Sequence, residues 1–121
     1  AGHETGAPPG PAPFGAADLA AMVRAYNPRS NGDLIRRAWA FGEAMHDGQT
    51  RKSGEPYFTH PVAVARILAE QRMDDASIAT ALLHDTVEDT KASRALIAQE
   101  FGPEIAELVE GVTNLTKMQI R

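Results

Sequence analysis

Four ionisable side chains crowd into six residues: His84, Asp85, Glu88 and Asp89 follow directly on the largely apolar run Ile78 to Leu83. On a helix turning 100° per residue, Glu88 stands one turn above His84 and Asp89 one turn above Asp85, and the four cover an arc of roughly 140°. Burying carboxylates and an imidazole without partners costs several kcal/mol. A divalent cation is the simplest offset for that cost. The bland reading is that carboxylates near a helix end are solvated and that the His–Asp neighbours form a plain hydrogen-bonded pair. The spacing is not that of a His-Glu-x-x-His helix, because His84 and Asp85 point about 100° apart. They share an ion only if a third ligand closes the site from elsewhere.

His60 is the candidate for that ligand. It lies 24 residues before His84, at the start of the preceding helix. An antiparallel pair with a short turn brings the start of one helix to the end of the next. Otherwise His60 is a cap or loop histidine. Directly before it runs a basic loop, Arg51-Lys52-Ser53-Gly54-Glu55-Pro56-Tyr57. Arg grips phosphate with a planar fork and Lys as a point charge, and Arg also stacks on purines. In isolation the same loop reads as an ordinary solvated turn. Tyr57 and Phe58 read as apolar anchors for it.

The elements that must position these groups are all helical. Residues 1 to about 15 are rich in Pro, Gly and Ala, and residues 1–17 are expected to form a disordered tail, with His3 irrelevant to the site. A first helix is predicted from Asp18, as its own cap, to about Tyr26, where Asn27-Pro28 ends it. A second, capped by Ser30 or Asn31, carries the stripe Leu34, Ile35, Ala38, Phe41, Gly42 and Met45, and His46-Asp47-Gly48 closes it. After the loop 47–60, Pro61 is expected as the first helical residue behind a cap at Thr59 or His60, with Val64, Ile67 and Leu68 inward and an end near Arg72. Asp74 or Asp75 caps a helix apolar almost all round, which should be the central one. Thr90 or Ser93 begins a helix that Gly102 stops after Phe101. Pro103 opens the last, with Ile105, Leu108, Val109, Val112 and Leu115 on one face. No segment alternates as a strand does. The fold class predicted is all-α.

Composition narrows the function. The chain has 121 residues, room for one domain, and 43% of them are hydrophobic. A net charge of −4 argues against bulk binding to DNA, RNA or an anionic membrane. There is no cysteine, so any metal must be held by His and carboxylate. Absence of cysteine suits the cytosol, and no apolar run approaches the roughly 20 residues of a membrane span.

Three strings in order, RKSGEPYFTHP, ALLHDTVEDT and FGPEIAELVEGVTNLTK, resemble the N-terminal hydrolase domain of the RelA/SpoT proteins, over about residues 26 to 118. The resemblance implies an HD-type helical bundle over residues 18–121. It implies Mn²⁺ held by His60, His84 and Asp85, with a fourth ligand, an aspartate, past Arg121. It implies that Glu88 and Asp89 activate the attacking water and that Arg51, Lys52 and Ser53 lie against the nucleotide. The implied reaction removes the 3′-pyrophosphate of guanosine tetra- or pentaphosphate, leaving GDP or GTP. On this reading the chain is the front part of a longer protein. The bundle's later helices are absent, self-association through exposed apolar surface is expected, and the fragment by itself is expected to be inactive. The alternatives are an HD phosphohydrolase acting on another nucleotide and a non-catalytic helical interaction module.

Overall fold

The structure, a computed structural model, describes residues 14–46, 54, 58–84 and 91–120, the last without the side chains of 91–93 and 113–120. The described residues form six helices and no strand. They are α1 (Ala16–Tyr26), α2 (Gly32–Met45), α3 (Thr59–Glu70), α4 (Asp75–Leu83), α5 (Lys91–Phe101) and α6 (Pro103–Ile120). Within α4, every residue from Ile78 to Leu83 is buried, as expected of a helix apolar almost all round. It packs against α2, α3 and α6 and is the axis of the bundle.

Local chemistry sets the helix starts. Asn31 caps α2 by accepting the Leu34 N–H at 3.2 Å, and Asp74 caps α4 by accepting the Ser77 N–H at 2.9 Å. Helix α1 differs from expectation. It starts at Ala16 behind Gly15, and Asp18, three residues in, reaches back to accept the Gly15 N–H at 2.8 Å. An aspartate serves the orphan donors of a helix start from either position. Phe14 also belongs to the packed structure, its ring 6.2 Å from that of Trp39 and beneath the Arg66 guanidinium. Ordered chain therefore begins before Asp18, inside the stretch assigned to the tail.

Three further expectations are corrected. Ile67 is 55% exposed rather than inward, and Met45 and Leu108 are also exposed. In α3 the inward stripe is Pro61, Ala65 and Ala69. Small residues let two helices approach closely, and the bulky Ile67 then points away. In α2 the stripe runs Ile35, Ala38, Trp39, Gly42 and on to His46, which displaces Met45 to the rim.

At one end of the bundle two turns are tied together. The Asp75 carboxylate accepts the Ser30 hydroxyl at 2.7 Å and the Asn31 N–H at 2.6 Å. The Tyr26 hydroxyl donates to the Met73 carbonyl. The starts of α2 and α4 therefore lie side by side, and the two helices run parallel. Helix α3, joined to α4 by residues 71–74, runs antiparallel. Hydrogen bonds from the Ser77 hydroxyl and N–H hold the Asp74 carboxyl below the usual carboxylate range. A depressed carboxyl contributes stability above its unfolded pKa and loses it as pH falls through the folded value. Asp74→Ala should accordingly cost about 1 kcal/mol at neutral pH. Urea titrations should show that difference shrinking from about pH 4 downward.

The turn between α3 and α4 carries strain. Arg72 has φ 62, the left-handed region that costs an L-residue about 1–2 kcal/mol. Arg72→Gly should raise unfolding stability by up to about 1 kcal/mol, since glycine's added unfolded-state entropy offsets part of the relief. Denaturant midpoints of the two proteins test this, and a lower midpoint for the glycine variant refutes it.

Candidate functional site

Opposite the tied turns, three helix ends meet, and each carries a histidine. His46 caps the C-terminus of α2, His60 is the second residue of α3, and His84 caps the C-terminus of α4. What brings them together is visible at Gly42. A β-carbon there would lie 2.5 Å from Phe58 Cε1 and 2.9 Å from the Leu82 carbonyl oxygen. Phe58 stands two residues before His60, and Leu82 two before His84. Helices α2 and α4 present their C-termini here, the negative ends of their dipoles, and α3 presents its positive N-terminus.

The His84 ring is half-buried, and its Nδ1 lies 3.0 Å from the Ala81 carbonyl oxygen. A carbonyl only accepts, so Nδ1 donates and the neutral ring carries its lone pair on Nε2. In that tautomer the nitrogen open to a ligand is Nε2, and an outer hydrogen bond at Nδ1 orients the ring. The same ring borders a groove of about 330 Å³, largely apolar, between Val64 and Leu68 of α3, Thr80 and Ala81 of α4, and Leu108 of α6. His60 is exposed at the start of α3. The helix begins at Thr59 behind Phe58, so His60 lies inside the first turn instead of capping it, and Pro61 is its third residue rather than its first.

Helix α4 ends at Leu83, and His84 closes it with helical dihedrals. Asp85, Glu88 and Asp89 lie outside the described residues, as do Arg51, Lys52 and Ser53. Gly54, from the basic string, has φ 92, the left-handed conformation open to glycine. Among the described residues no group of three or more His, Asp or Glu is placed to hold a metal ion. Of the predicted site residues, the described structure includes His60, at the start of α3, and His84, at the end of α4.

His46 is the residue that sequence reasoning treated only as a helix stop. It is buried, its N–H bonds the Gly42 carbonyl at 3.1 Å, and its ring packs 6.1 Å from that of Phe58. Its spacing of four from Gly42 and eight from Ala38 put it on the inward stripe, and that was the available signal.

The family model described as "HD domain" matches residues 38–121, more than half of the chain. The chain belongs to the HD domain family. The matched stretch holds two His-Asp pairs, His46-Asp47 and His84-Asp85, and His84 closes the buried helix α4. The chain is 48% identical over 103 residues to the GTP pyrophosphokinase rsh of Brucella ovis, covering 85% of this chain and 14% of that protein. It is also 48% identical over 100 residues to the bifunctional (p)ppGpp synthase/hydrolase SpoT of Escherichia coli K12, covering 83% of this chain and 14% of SpoT. The same figures hold for the guanosine-3′,5′-bis(diphosphate) 3′-pyrophosphohydrolase of Escherichia coli O157:H7. The HD domain chain thus spans about one seventh of the length of these relatives and matches the RelA/SpoT group as well as the broader family. Among its described residues no helix is long and apolar enough to cross a membrane.

Proposed function

We propose that this chain carries the metal-binding part of a (p)ppGpp 3′-pyrophosphohydrolase, yielding GDP or GTP and pyrophosphate. The observation that carries the reading is an HD pair whose histidine ends the buried helix α4, in a chain similar to proteins named for that reaction. Mn²⁺ is the cation proposed, with His60, His84 and Asp85 as its ligands from this chain. When bound, such a cation lowers the pKa of water and polarises a phosphoryl oxygen. Glu88 and Asp89 orient the attacking water and take its proton. The water oxygen bonds to the phosphorus attached at the 3′ position, and the 3′ oxygen leaves and is protonated. Arg51, Lys52 and Ser53 hold the phosphates, the two cations balancing charge as it shifts toward the leaving group. A cytoplasmic location suits this substrate. The exposed side chains of Ile67, Met73 and Leu108 support self-association.

The test is turnover of ppGpp by the parent protein with Mn²⁺ and with chelator, followed by ³¹P NMR. Mn²⁺-dependent release of pyrophosphate is expected. A panel containing other nucleotides separates this reading from an HD hydrolase of different specificity. Glu88→Gln should retain bound metal and lose about 10²–10⁴-fold in rate, the usual worth of a general base. Normal turnover by that variant would remove the role given to Glu88.

A further inference from the structure

Gly42 lies in the last turn of α2, still within the helix, where alanine would stabilise it by up to about 1 kcal/mol. Its backbone gives no reason for glycine, since the positive-φ glycines among the described residues are Gly54 and Gly102. The reason is space. A β-carbon would meet Phe58 Cε1 at 2.5 Å, Phe58 Cζ at 3.1 Å and the Leu82 carbonyl oxygen at 2.9 Å. Neither neighbour yields easily. Phe58 is buried, edge-on to Trp39 at 5.7 Å, with the His46 ring on it as well. The Leu82 oxygen is backbone in a fully buried turn of α4.

We propose that Gly42 is a positioning residue: by letting α2 touch both Phe58 and Leu82, it sets the separation of the helix ends that carry His60 and His84. The proposal deepens the metal-site reading above and rests on it. Any side chain at 42 must push the start of α3, the end of α4, or both, away from α2. Metal ligands tolerate only about 0.2 Å of error, and misplacement by about 1 Å can cost 10²-fold in rate.

The decisive variant is Gly42→Ala, paired with Gly42→Ala/Phe58→Ile, in which the ring atoms that block the β-carbon are gone but the site stays apolar. Two readouts are taken on the full chain, with circular dichroism to confirm folding. The first is Co²⁺ affinity from visible absorption. The second is the distance between nitroxides at His60→Cys and His84→Cys, a clean labelling because the sequence has no cysteine. Gly42→Ala should weaken Co²⁺ binding by about tenfold or more and lengthen the distance. The double variant should restore both. If Gly42→Ala does not fold, a folded double variant with the original distance gives the same answer. An unchanged distance in folded Gly42→Ala, or a double variant that restores nothing, overturns the proposal. Absence of Co²⁺ binding by the unsubstituted parent protein would instead refute the metal assignment, and the distance would still decide Gly42.

Discussion

Replacing His84 with alanine should abolish metal binding and reduce (p)ppGpp hydrolysis by the parent protein about 10³-fold or more. The reasoning starts from the ring's surroundings. Its Nδ1 is committed to the Ala81 carbonyl, so the imidazole is held in one orientation and one tautomer. Alanine removes both the proposed ligand and that restraint. A Lewis acid is worth several kcal/mol of transition-state stabilisation, and each 1.36 kcal/mol is tenfold in rate. Asp85→Ala should behave alike. The fold should survive, because His84 caps α4 from its half-buried end while the core lies within Ile78 to Leu83. Metal content by elemental analysis and turnover of ppGpp, measured together, check the prediction. Unchanged turnover in either variant would sink the metal assignment.

Phe58→Ala should destabilise the chain by about 3–5 kcal/mol, the range for truncating a buried aromatic ring. Phe58 is 7% exposed and wedged between Trp39, His46 and the open side of Gly42. Without a side chain at Gly42 to collapse inward, the space left by the ring cannot close, so the cavity contribution adds to the lost burial. The edge-on contact with Trp39 adds about 0.5–1.5 kcal/mol to what burial alone supplies. A loss of this size is a large fraction of the stability of a domain this small. Denaturant unfolding measures it, and a loss below about 1 kcal/mol would show that the ring is not the anchor described. Phe58→Ile, which keeps most of the apolar volume, should cost far less.

Helix content was legible from the chain alone because its causes are local. Of the caps offered, Ser30 or Asn31 and Asp74 or Asp75, the first helix takes Asn31 and the second Asp74; Gly102 stops α5 with φ 95, and the run 78–83, apolar but for Thr80, marks the buried axis. The antiparallel placement of His60 and His84 also followed, since a short turn leaves little freedom between consecutive helices. Which large residues face outward did not follow. The periodicity of α3 admits either Ile67 or Ala65 and Ala69 as the inner face, and the choice rests on how near α4 comes. Nor could the place of Gly42 be foreseen, for a glycine on an apolar stripe reads only as a weak helix former. Its meaning comes from Phe58 and Leu82, brought to it from 16 and 40 residues away. Capping and periodic burial act over one or two turns of chain and are written in neighbouring residues. Interhelix distance is set by side chains on different segments pressing on one another, so it exists only once the bundle is assembled.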